Sequence, residues 1–93
     1  MYDKAKIKSL SEWCKETAFI TPSEEKARKL FAASQVLRNV AAERPIRSEE
    51  LSGVRKLAEY FGGETHFASL SEAEHLIEIY GVLKEVGEGC RQQ

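Results

Sequence analysis

Very little in this chain cross-links or interrupts it. Its 93 residues hold two cysteines, two prolines, one methionine and one tryptophan. Cys14 and Cys90 stand near opposite ends, too few and too far apart in sequence for a disulfide framework. Such thiols are expected to stay reduced, which points to the cytoplasm. Long apolar runs are also missing. Stretches such as Leu76-Ile77 and Ala41-Ala42 are broken by charge every few residues, well short of the roughly 18 apolar residues of a membrane span. No membrane association is therefore expected. The start, Met1 to Lys8, is charged and is followed by no apolar block, so no secretory leader is expected. No alternating apolar and polar stretch of strand length occurs, which argues against a β-sheet.

Catalytic machinery is lacking in the same way. Cys14, His66, His75 and Cys90 supply the composition of a Cys2His2 zinc set. Structural zinc sites, however, draw ligands in close pairs, roughly two to five residues apart, because one short loop aims both donors at the ion. Each of these four is isolated, so no metal is expected. Neither cysteine has a local histidine and orienting group, as a nucleophile requires. Cys14 falls on an apolar helical stripe, where a thiol behaves as a small hydrophobe. The acidic pairs Glu49/Glu50 and Glu72/Glu74 sit in first helical turns, where the helix dipole explains them. Gly62-Gly63 lacks a following Lys-Ser/Thr, so it is no phosphate loop. The reading is a non-enzyme with no catalytic residue and no cofactor.

What is present is helical patterning. Apolar positions recur at three- and four-residue spacing, and polar residues that accept hydrogen bonds stand where helices should begin. The sequence predicts an all-α, compact four-helix single domain over residues 1–93, with helices at about 3–17, 22–43, 49–61 and 72–86 and a loose tail from about 87. In the first, Ile7, Leu10, Trp13 and Cys14 share a side, while Ser9 and Ser11 weaken the propensity. Thr21-Pro22-Ser23-Glu24 reads as a capping box opening the second helix, with Ala27, Leu30, Phe31, Leu37 and Val40 as its stripe and Pro45 as its stop. Ser48 is expected to cap the third, which carries Leu51, Val54, Leu57, Ala58 and Phe61 to a Gly62-Gly63 stop. Ser71 to Glu74 reads as a second capping box for the fourth, which Gly87 and Gly89 should end. A domain of this size has a thin core with little room for an internal cavity, so a binding site is expected on a groove or interface.

Two features exceed what a core needs. On the fourth helix, Leu76, Ile77, Ile79, Tyr80, Val82, Leu83 and Val86 cover an arc of about 220 degrees, against about 100 degrees for a helix buried on one side. Either this helix is central in the bundle or its surplus face meets a partner. Tyr60 and Val36 also lie at the flanks of their stripes. On this basis Tyr60, Ile79, Val82 and Val86 are the expected partner-binding residues, and the partner is another protein or a second copy in a homodimer. The other feature is charge. Residues 1–47 carry ten Lys and Arg against six Asp and Glu, a balance of +4, while residues 48–93 carry four against nine, a balance of -5. Opposite-sign halves can attract each other within a fold, present a basic and an acidic face to different partners, or pair head to tail between subunits.

The basic half opens a nucleic-acid alternative, with Lys4, Lys8, Lys15, Lys26 and Lys29 as candidate phosphate contacts. Over eight residues, the segment Arg55-Lys56-Leu57-Ala58-Glu59-Tyr60-Phe61-Gly62 looks similar to a helix of the repressor-type helix-turn-helix domains of the lambda-repressor-like family. That resemblance implies DNA binding through the following helix. Here the following helix is acidic from Glu72 to Glu85, where base reading favours Arg, Lys, Asn or Gln, and the pI is about 6.1. The leading expectation is a non-enzymatic regulator, inhibitor or adaptor acting through protein contacts. A nucleic-acid binder and a structural subunit of a larger assembly are the alternatives.

Overall fold

The computed structural model describes residues 3–64 and 69–88. The protein is all-α: helices α1 (Lys4–Ile20), α2 (Glu24–Ala41), α3 (Ser48–Glu64) and α4 (Leu70–Glu88) follow in order, with no strand among the described residues. The chain divides into two compact units, Met1–Pro45 and Ile46–Gln93. Each is a helical hairpin, α1 packed on α2 and α3 packed on α4.

In the first hairpin, the Asp3 carboxylate accepts from the Lys6 amide at 2.7 Å and starts α1. The helix runs three residues past the expected end. Thr21 closes it by donating its amide to the Thr17 carbonyl at 2.9 Å, and its extended backbone, ψ 137, is what the following Pro22 enforces. Thr21 is thus the C-cap of α1 and not the N-cap of α2. That second role belongs to Ser23, whose hydroxyl accepts from the Lys26 amide at 3.2 Å, leaving a connection of Thr21-Pro22-Ser23.

The facing surfaces are made of small residues and leucines. Ile7, Leu10, Ser11, Cys14 and Ala18 of α1 are buried, with Leu30, Ala33, Ser34 and Leu37 of α2. Ser11, which lowers helix propensity, lies in this interior: its hydroxyl donates to the Ser34 carbonyl at 2.9 Å, and the Ser34 hydroxyl donates to the Phe31 carbonyl at 3.0 Å. Both buried hydroxyls are thereby satisfied, which removes the penalty of leaving them dry and unpaired. Each fully buried leucine contributes about 1.5–3 kcal/mol.

The end of α2 comes before Pro45 has any part in it. The Glu43 amide donates to the Val40 carbonyl at 3.0 Å and the Arg44 amide to the Asn39 carbonyl at 2.9 Å. This is a Schellman motif, built with Glu43 at φ 60 where glycine is usual. α2 therefore stops at Ala41, two residues before the expected boundary.

In the second hairpin the Glu50 carboxylate accepts from the Arg47 amide at 3.1 Å, which ties the helix start one residue ahead of Ser48, the expected cap and already helical. Leu51, Val54, Leu57, Ala58 and Phe61 are buried, as the stripe predicts. The helix continues through Gly62 and Gly63, neither of which adopts positive φ. Gly62 has a packing role: a Cβ there would sit 3.1 and 3.2 Å from Cε1 and Cδ1 of Tyr80. Gly87 is the matching case on α4. A Cβ there would meet Arg55 Cγ at 2.9 Å, and the Gly87 carbonyl accepts from Arg55 Nε at 3.1 Å. Tyr80 and Gly87 are seven residues apart, as are Arg55 and Gly62, so two glycines on opposite helices each admit a large side chain in one antiparallel register. Gly62-Gly63 and Gly87 were expected to end helices; close packing keeps Gly62 and Gly87 within them. At the start of α4, Ser69 does the capping expected of Ser71, its hydroxyl accepting from the Glu72 amide at 3.4 Å.

Candidate interaction surfaces

The buried residues of α4 are Leu76, Ile79, Val82, Leu83 and Gly87. On the helical wheel they occupy about 140 degrees of the apolar arc. Two of the four expected contact residues fall inside that range: Ile79 is 0% and Val82 3% exposed, so these two belong to the core. Tyr60 and Val86 are half-buried. The Tyr60 ring stands edge-on to Phe61, with centroids 5.3 Å apart. With Ile79 and Val82 buried, the four residues do not present a shared exposed surface.

The outward apolar residues are others. Leu70 is 89% exposed and Ile77 57%. Seven residues apart on α4, they lie in line on its outer side. Ile77 belongs to the expected arc; Leu70 lies ahead of the expected helix start at about 72, whereas α4 begins at Leu70. At the end of α1, Phe19 is 71% and Ile20 80% exposed, although the Phe19 ring meets Phe31 edge-on at 5.3 Å. Both were missed because α1 was expected to end at Thr17.

The candidate basic residues are sorted by the α1/α2 hairpin. Lys8 and Lys15 line a groove of about 470 Å3 with Arg38, Glu12, Ser11, Ala41 and Ala42. Arg38 was not among the expected cations. It joins because it lies about 80 degrees to one side of Leu30 on the α2 wheel, whereas Lys29 lies about 100 degrees to the other. Lys26 and Lys29 are half-buried and do not line the groove. Lys4 pairs with Glu43, both side chains largely exposed. The five lysines therefore do not make one patch; Lys8 and Lys15 with Arg38 do.

A second, smaller groove of about 270 Å3 lies on the α3/α4 hairpin between Arg55, Ala58, Glu59, Tyr80, Lys84 and Glu88. The Lys84 ammonium stands 5.8 Å from the Tyr80 ring centre. Its charges are mixed and give it no preferred sign of ligand.

Of the four zinc-type residues, His66 and Cys90 lie outside the described residues. Cys14 is fully buried, and loss of solvent pushes its thiol up to about 12, so it stays protonated and a poor nucleophile or ligand at neutral pH. His75 Nδ1 lies 3.1 Å from the Ser71 carbonyl of its own helix. No group of three or more potential metal ligands occurs among the described residues, and no described helix is long and apolar enough to cross a membrane. Comparison with known protein families, with curated proteins and with solved structures returned no match to this chain.

Proposed function

We propose that this protein is a small, non-enzymatic helical module that acts by covering part of another protein's surface, as a regulator, inhibitor or adaptor. The observation that carries this reading is the exposed line of Leu70 and Ile77 on α4. A helix packed on one side normally turns only charge to water on the other; here two large aliphatic side chains, two turns apart, stand on that side beside the acidic residues. Burying both at a contact would contribute about 1.5–3 kcal/mol each before the entropic cost of association. The reading places the protein in the cytoplasm, where a buried reduced thiol such as Cys14 is at home.

The test is a comparison of proteins captured from the native host by wild type and by the double variant L70S/I77S. Both substitutions are on the exposed side, so helicity and melting temperature should be preserved. Loss of specific partners in the variant is the expected result; an unchanged set of captured proteins from a folded variant refutes the reading. A second reading, nucleic-acid binding, is favoured by the grouping of Lys8, Lys15 and Arg38 on one groove. It requires retention of labelled duplex at low ionic strength that weakens steeply with salt.

A further inference from the structure

We propose that the α1/α2 groove receives the outer acidic face of α4 from a second copy of this chain. This deepens the protein-contact reading by naming a partner, and it rests on that reading. Lys8, Lys15 and Arg38 line the groove and are exposed, and none of the three pairs with a carboxylate among the described residues. Glu12 also lines the groove, so three cations outnumber one carboxylate and leave a net charge of +2, which favours an anionic occupant. The groove floor of Ser11, Ala41 and Ala42 is small enough to let a helix or its carboxylates come close.

The complementary element is in the same chain. Glu74, Glu78 and Glu85 lie within about 40 degrees of each other on the α4 wheel, on its outer side, with Glu74 and Glu85 exposed and Glu78 half-buried. Lys8 and Lys15 are seven residues apart, about 10.5 Å along the helix, and so are Glu78 and Glu85. The spacing matches in either direction, and with Glu78 at Lys8 the row extends through Glu74, one turn away, toward Arg38, which the Ser11–Ser34 and Lys4–Glu43 contacts place at the Lys8 end of the hairpin. Net charge points the same way. Unit 1 has nine Lys and Arg against six Asp and Glu, a balance of +3; unit 2 has five against nine, a balance of -4. Leu70 and Ile77 flank the acidic row and add apolar area to the contact. The groove belongs to one unit of the chain and the acidic face to the other, so each copy offers one of each.

The experiment is sedimentation of the full chain with charge reversal on each side. At about 100 µM protein, wild type should associate in about 50 mM salt and dissociate in about 500 mM, where the screening length is a few ångström. K8E/K15E alone and E78K/E85K alone should both be monomeric, since each sets like charge against like. An equimolar mixture of the two should associate again, because both of its cross-contacts are complementary. All four substitutions are at positions outside the core, and matching circular dichroism confirms the folds; K8Q/K15Q serves if a reversal variant does not fold. A monomeric wild type at low salt overturns the proposal, as does association that survives K8E/K15E, or variants that fail to rescue each other. Retention of labelled duplex by wild type and not by K8E/K15E also overturns it, in favour of a phosphate backbone as the occupant. In each of these failures the broader reading is judged separately by the L70S/I77S capture comparison.

Discussion

Three glycines of α3 allow helix propensity to be separated from packing within one element. Replacing glycine by alanine in a helix interior ordinarily stabilises by about 0.5–1 kcal/mol. Gly53 and Gly63 have nothing within 4 Å of a built Cβ, whereas at Gly62 that atom would lie 3.1 Å from Tyr80 Cε1 and 3.2 Å from Cδ1. Comfortable carbon contacts are at about 3.5–4.0 Å, so the Tyr80 ring must retreat by roughly half an ångström. Overpacking of that kind costs about 1–3 kcal/mol, which exceeds the propensity gain. Gly53→Ala is expected to stabilise by about 0.5–1 kcal/mol and Gly62→Ala to destabilise by about 0.5–2 kcal/mol. Urea unfolding followed by circular dichroism at 222 nm reads both. Combining Gly62→Ala with Tyr80→Leu should recover much of the loss, since the clash is with the ring edge. If Gly62→Ala stabilises as much as Gly53→Ala, the close approach of α4 at Tyr80 is wrong, and with it the register of the second hairpin.

Other substitutions test the first hairpin. Glu43→Gly relieves a left-handed conformation that costs a side-chain-bearing residue about 1–2 kcal/mol, while the exposed Lys4–Glu43 pair that it removes contributes about 0–1 kcal/mol. A rise in thermal midpoint is expected, larger at high salt where the pair is screened. Ser11→Ala removes the hydroxyl that bonds Ser34 and should cost about 0.5–1.5 kcal/mol in the same unfolding assay. In a C90S background, Cys14 should resist iodoacetamide in the folded protein at pH 8 and react readily in guanidinium. Its thiol is raised from an ordinary 9.0 to about 12 by burial, so above pH 9 the unfolded chain ionises while the folded one retains its proton. The stability Cys14 contributes is full below pH 9 and is lost as pH rises toward 12, and Cys14→Ala should flatten that slope.

The number and order of the helices were legible because each has its own apolar repeat and its own cap-forming residues, and both are local properties of the chain. Boundaries were less legible where several local signals compete. Thr21 and Ser23 are both capping residues, and so are Ser69 and Ser71; the sequence alone does not say which residue must close one helix and which must open the next. Gly62 and Gly87 carry a stop signal in isolation. Inside the α3/α4 hairpin their lack of a Cβ lets Tyr80 and the Arg55 stem approach without displacement, and both remain helical.

For the surfaces, sequence determined that α4 has more apolar circumference than one neighbour covers and that the two halves carry opposite charge. Which part of that circumference is covered depends on where α4 lies against the elements that bury it. That placement buries Ile79 and Val82 and leaves Ile77 and Leu70 outside. The same holds for the cations. The linear order supplied the lysines, but only the pairing of α1 with α2 put Lys8 and Lys15 beside Arg38 and turned Lys29 away. The helical period fixes which residues share a face; the position of the packed neighbour decides which faces see water.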